Sequence, residues 1–182
     1  AMRGENNTRE AKLAQLLEDL RGKIRAPIGG TVDWHFAEAE GTGALPLPKN
    51  WRQWPILTSR SVWGTTQKHT WLVADITIPE EARGGTFAIN VISNWRTQQG
   101  STDPQCLAYL DGKIVQAIDG NHTELVIAHD ATPGEVHLVQ MNAFTFDERP
   151  MVGFQTDLIL RDGRIEALFH DLATAFEVAI RL

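Results

Sequence analysis

The spacing of hydrophobic residues changes twice along this chain. Near the start, apolar side chains recur every three or four residues, which places them on one face of an α-helix. Asn7, followed by Glu10, fits a capping box at the start of that helix, and Pro27 with Gly29-Gly30 is expected to end it. Because only one face is apolar, the helix must pack against another element. Its stripe consists of Leu13, Leu16, Leu17, Leu20 and Ile24.

From Thr31 onward, apolar and polar residues alternate, which is typical of half-buried β-strands. Turn residues recur at intervals of about 8–12 residues and separate about eight or nine short strands. The pattern predicts an all-β fold, a jelly-roll-like antiparallel β-sandwich of the galactose-binding-like kind, flanked by an N-terminal and a C-terminal helix. Strands are predicted around Leu72–Ile78, Phe87–Val91, Leu125–Ile127, Val136–Phe144 and Val152–Leu160.

The segment from Cys106 to Val126 carries the clearest local pattern. Cys106–Leu110 and Lys113–Ile118 are short apolar runs, and Asp111-Gly112 joins them. This dipeptide supplies the positive φ angles of a tight hairpin turn. The segment therefore predicts a β-hairpin followed by a third strand.

After Asp162-Gly163 the helical spacing returns. The apolar stripe of this closing helix most simply packs on the sandwich or on a further domain. Fully burying each large side chain stabilises by about 1.5–3 kcal/mol, so any uncovered part is expected to form an apolar patch, including Phe176, that favours self-association. The stripe consists of Ile165, Leu168, Phe169, Leu172, Phe176, Ala179 and Ile180.

Composition and charge exclude several classes of function. The chain has 182 residues, with 17 Lys and Arg against 23 Asp and Glu, and a net charge of −6. No basic face is concentrated enough to predict nucleic-acid binding. No apolar run approaches the roughly 18 residues that cross a bilayer and no signal peptide is recognised, so no membrane contact and a cytoplasmic location are expected. Cys106 is the single cysteine, which excludes an internal disulfide and a cysteine-built metal site.

The order of several motifs resembles the N-terminal domain of family 38 glycoside hydrolases, the class II α-mannosidases. In that domain a strand ending in Tyr-x-Asp/Asn-Gly is followed by a small apolar run, an Asp and then a His. The pair Trp63-Gly64 before a strand that starts at Trp71, and Ile78-Pro79 at its end, are similar as well. The central motif falls on Tyr109, Asp111, Gly112, Asp119 and His122.

This resemblance implies a parent enzyme that hydrolyses terminal α-mannosidic bonds in oligosaccharides, with zinc and an Asp nucleophile in a catalytic domain that this sequence lacks. None of the six histidines forms an H-x-H pair, and no carboxylate pair suits a retaining glycosidase. The chain is therefore expected to be a non-catalytic accessory domain with no cofactor or metal of its own. The expected units are residues 1–30 (helix and connection), 31–163 (sandwich) and 164–182 (helix leading toward the catalytic domain). The implied partners are that domain, mannose-containing glycans for the whole enzyme, and a second copy in a homo-oligomer.

Trp95, Asp119 and His122 are the candidate carbohydrate contacts. Trp95 follows a predicted strand, where it could stack on a sugar or lie at a domain interface. Asp119 and His122 could face the barrel of the implied catalytic domain and contact a sugar or a cation. The alternative, which Gly120-Asn121 favours, is that Asp119 accepts backbone N–H bonds within a turn while His122 bonds nearby.

The remaining tryptophans are expected to be buried. Trp71 is assigned to the core, and the others are expected to pack the first helix and the loops onto the sandwich: Trp34, Trp51, Trp54 and Trp63. Two other functions stay open at this point. Exposed tryptophans would support an independent carbohydrate-binding module, and convergent polar groups in a deep pocket would support an enzyme on a sandwich scaffold.

Overall fold

The computed structural model describes residues 2–39, 47–65, 67–92, 104–146, 148 and 150–181. Within them the chain forms a β-sandwich with a helix before it and another after it. In chain order the elements are α1 (Met2–Ile24), β1 (Arg25–Ile28), β2 (His35–Glu38), β3 (Val62–Trp63), β4 (Lys68–Thr77), β5 (Thr86–Ile92), β6 (Gln105–Leu110), β7 (Lys113–Ile118), β8 (Glu124–Ala128), β9 (Val136–Thr145), β10 (Met151–Val152), β11 (Gln155–Arg161) and α2 (Gly163–Arg181).

Two antiparallel sheets form the sandwich. One has the strand order β1-β11-β5-β8, the other has the order β2-β4-β9-β6-β7, and β3 with β10 forms a separate short ribbon. The chain crosses from one sheet to the other at several connections, including the one from β7 to β8. The predicted all-β antiparallel sandwich, flanked by two helices, is confirmed.

The main core lies between the two sheets. Leu72 on β4 and Phe87 and Ile89 on β5 belong to one buried cluster, and each is 0% exposed. Successive residues of a strand point to opposite faces of the sheet, and membership of this cluster places these three side chains on the inner faces. Trp34 is buried in the same cluster, and its indole N–H donates to the Thr156 hydroxyl at 3.0 Å. The largest side chains therefore fill the space between the sheets.

The predicted hairpin is present as β6 and β7. Asp111 and Gly112 adopt φ angles of 49° and 82°, as a two-residue primed turn requires. The Asp111 carboxylate also reaches β9, where it accepts bonds from the Leu138 backbone N–H at 2.9 Å and from the His137 ring at 2.8 Å. Burial alone would raise the pKa of Asp111, but these bonds outweigh it and lower the pKa.

The structure differs from the predicted elements at several places. α1 begins at Met2, so Asn7 lies within the helix and the predicted capping box does not start it. Residues Arg25–Ile28, assigned to a connection, form β1 and pair with β11. The predicted strand Val152–Leu160 is two strands, interrupted at Gly153, whose φ is 68°. A Cβ at Gly153 would lie 2.9 Å from the backbone oxygen of Ser59, so the close approach of these two segments requires glycine.

Both terminal helices pack on each other, whereas α2 had been expected to pack on the sandwich or on a further domain. α1 leads directly into β1, β11 leads directly into α2, and β1 and β11 are neighbours. The Asp162 backbone N–H donates to the Ile24 carbonyl at 2.9 Å where the helices meet the sheet. No helix in the described part is long and apolar enough to cross a membrane. We call α1 and α2 together the helix pair.

Candidate functional site

The predicted contacts Asp119 and His122 lie in one tight turn, residues 119–123, between β7 and β8. One oxygen of the Asp119 carboxylate accepts the backbone N–H groups of Asn121 and His122, each at 2.8 Å. The same oxygen lies 3.1 Å from Nδ1 of His122. This arrangement matches the turn alternative considered from the sequence. We call residues 119–123 the Asp119 turn.

The electrostatics of this turn follow from those bonds. Backbone N–H donation from Asn121 and then from His122 lowers the pKa of Asp119. The Asp119 side chain is 36% exposed, and that of His122 is 73% exposed. One carboxylate oxygen is therefore committed to the backbone, while the imidazole remains accessible to solvent. Whether either group contacts a sugar stays a prediction.

The Asp119 turn is tied to the end of β5. The Val91 N–H donates to the Thr123 carbonyl at 2.7 Å, and the Thr123 hydroxyl donates to the Asn90 side chain at 2.7 Å. On the other side, Ile118 pairs with Cys106 near the start of β6. The segment that joins β5 to β6 contains Trp95, which lies outside the described residues. Asp119 and His122 thus lie beside the end of β7 and the end of β5. The position of Trp95 is not tested.

A charged group that the sequence analysis missed begins one residue after this turn. Arg25 and Arg161 face each other across β1 and β11, and the Glu124 carboxylate lies between them. Arg25 contacts one carboxylate oxygen at 2.5 Å, and Arg161 lies 3.6 Å from the other. That second oxygen is buried without a hydrogen-bond partner among the described residues. The three residues are far apart in the sequence, so no local motif predicts the cluster.

The outer face of the five-stranded sheet carries a second apolar cluster. Trp71 is 3% exposed, and its ring centroid lies 6.0 Å from that of Tyr109. Trp51 covers the same cluster and carries the Arg52 guanidinium 4.2 Å above its ring. The unbroken apolar run that starts at Trp71 is the pattern of a strand buried on both faces and could have predicted this second cluster. Gln140 is 4% exposed there, and its side-chain oxygen has no hydrogen-bond partner in the described part of the chain.

The five tryptophans that the structure describes do not form an exposed platform. Trp34, Trp51, Trp63 and Trp71 are buried, and Trp54 is half-buried. Trp63 donates its indole N–H to the Gly153 carbonyl at 2.8 Å, which joins two loops. Burial of these residues was predicted, but they pack strands and loops, and the first helix packs on α2 instead. Stacking on a sugar would require an exposed ring.

An open cleft of about 360 Å³ lies where the helix pair meets the sandwich. Its charged lining residues are Arg83, Asp130, Asp162 and Arg164. Asp162 accepts the Arg164 and Ile165 backbone N–H groups at 2.9 and 3.2 Å, so its carboxylate caps α2. Arg83 is paired with Glu80 at 2.6 Å. Asp162 and Arg83, two of the four charged groups, thus already have structural roles.

Cys106 and the metal-binding residue types are further candidates for chemistry in the described part of the chain. Burial raises the pKa of the Cys106 thiol to about 12, so it stays protonated at neutral pH and is a poor nucleophile. The described residues include no group of three or more His, Cys, Asp or Glu side chains arranged to hold a metal ion.

Comparison with known proteins supports the fold and corrects the family. No family model matches the chain, and no curated protein matches it. Among solved structures, a Faecalibacterium prausnitzii β-glucuronidase is similar with a TM-score of 0.50 and 13% identity, over 77% of this chain and 32% of that one. An uncultured Clostridium sp. β-glucuronidase has a TM-score of 0.48 and 13% identity over 77% and 30% of the two chains. A β-glucuronidase from glycoside hydrolase family 2 has a TM-score of 0.46 and 14% identity over 76% and 18%.

The shared property is the fold. This chain spans about a third of the length of the F. prausnitzii enzyme. The F. prausnitzii enzyme, which shares the fold, is a β-glucuronidase and not an α-mannosidase, so the assignment to family 38 is wrong. The motif that suggested it has a local explanation, since Asp111-Gly112 forms a primed turn and Asp119 closes an Asx-type turn. Such turns recur in unrelated sandwiches. The expected zinc and mannose-containing glycans rested on that resemblance alone.

Proposed function

We propose that this chain is a non-catalytic β-sandwich domain of a glycoside hydrolase, where it supports or positions a catalytic domain of the same polypeptide. The observation that carries the proposal is the fold shared with the F. prausnitzii β-glucuronidase, in which the similar region makes up 32% of the chain. Most of such an enzyme lies outside this region. A supporting role therefore fits the sandwich better than a catalytic one.

The arrangement of the acidic groups supports the non-catalytic part of the proposal. A retaining glycosidase needs one carboxyl group as acid and another as nucleophile, about 5 Å apart. Asp130 and Asp162 line the same cleft, but Asp162 is engaged in capping α2. Glu124 is held by two arginines, and Asp119 is held by its own turn. The carboxylates of Asp162, Glu124 and Asp119 therefore each have a structural role that competes with proton transfer.

The first experiment tests the chain by itself. The purified protein should release no nitrophenol from nitrophenyl β-glucuronide, nor from α-mannoside or β-galactoside substrates. β-Glucuronides come first because the similar solved enzymes are named for that activity. An activity that survives repurification and is lost in an Asp130→Asn variant would contradict the non-catalytic assignment.

The second experiment tests the relation to a catalytic domain. The native gene should encode such a domain in the same reading frame, and the full protein should hydrolyse a glycoside. A version of the full protein that lacks residues 25–162 should lose most of that activity or aggregate. If the native gene encodes no further domain, or if excision leaves kcat/KM and thermal stability unchanged, the proposed role is wrong.

A glycan titration separates this role from that of an independent carbohydrate-binding module. Glucuronic acid, mannose and mannobiose should produce no saturable change in tryptophan fluorescence or heat. A dissociation constant in the micromolar range would favour the module. In that case Trp95→Ala and His122→Ala should weaken binding if the contacts predicted from the sequence are used, while Trp63→Phe, a change at a buried ring, should not.

A further inference from the structure

We draw no further inference here: the strongest candidate, the surface patch of exposed apolar side chains that Ile114 and Val115 form along β7, the edge strand of the five-stranded sheet, carries nothing because nothing in the structure shows what covers it.

Discussion

The sandwich and the helix pair are built from similar apolar residues but reach very different burial. In the sandwich, Phe87, Leu72 and Met141 are 0% exposed. In the helix pair, Phe169 and Phe176 remain half-buried. Two facing sheets enclose a core from both sides, while two helices share a single seam. The comparison indicates that the sandwich holds most of the buried apolar surface of the described residues, while the helix pair encloses no core of its own.

The largest effect should come from truncating the sandwich core. Phe87→Ala should lower the free energy of unfolding by about 3–5 kcal/mol, because it leaves a cavity between the sheets. Urea denaturation followed by tryptophan fluorescence measures this. Phe146→Ala is the control, since that ring is 66% exposed and its loss should cost far less. Equal effects of the two changes would contradict the assigned core.

Truncation in the helix seam should have a smaller and separable effect. Phe169→Ala should destabilise the helix pair by about 1–2 kcal/mol, because the ring is only half removed from water. Far-UV circular dichroism should report the helix loss, while the tryptophan transition of the sandwich stays in place. If the circular dichroism and fluorescence transitions shift together, the helix pair and the sandwich unfold as one cooperative unit. Their stabilities would then not be separable.

The Asp119 turn should contribute less than either region. Asp119→Ala removes two accepted backbone N–H bonds and should cost about 0.5–1 kcal/mol, since the carboxylate is 36% exposed and screened by water. The pKa of Asp119 is lowered in the folded state, so this contribution is present above its unfolded value of 3.8 and is lost as pH falls through the folded pKa. The difference between the variant and the wild type should therefore shrink below about pH 4. Asp33→Ala, at another exposed carboxylate, is the control for removing one surface charge.

The smallest effect, and one of opposite sign, is expected at Gln140. Its buried amide oxygen has no partner among the described residues, so Gln140→Met should raise the free energy of unfolding by up to about 1 kcal/mol. Gln116→Met is the matched change, because the Gln116 amide donates to the Glu124 carbonyl at 2.8 Å and its loss should destabilise. If Gln140→Met instead lowers the free energy of unfolding, the Gln140 amide is hydrogen-bonded in solution. The cluster around Trp71 and Tyr109 would then be a candidate polar site.

The sequence pattern was sufficient to predict those elements whose geometry depends on residues close together in the chain. The hairpin around Asp111-Gly112 was predicted because positive φ angles are a property of those two residues. The sandwich strands followed from alternation, and both helices followed from their apolar spacing. The bonds of Asp119 were one of two alternatives, and they too depend on atoms within three residues.

The local origin of these turns also explains why the family assignment was wrong. Turn residues such as Asp111, Gly112 and Asp119 are selected by backbone geometry, so their order along a sandwich carries little information about the enzyme that contains it. The strand β1 was missed for the opposite reason. Four residues with a proline give little local preference, and only the neighbouring β11 fixes them in the sheet.

The sequence by itself determined the turns, the alternating strands and the amphipathic helices of this protein, because each rests on contacts within a few residues. Tertiary structure decided which surfaces those elements cover. It placed Trp71 on the outer face of a sheet, gathered Glu124 between Arg25 and Arg161, and set α1 against α2 rather than against the sandwich. Those outcomes depend on which strands become neighbours, and that choice is made by burial summed over the whole chain.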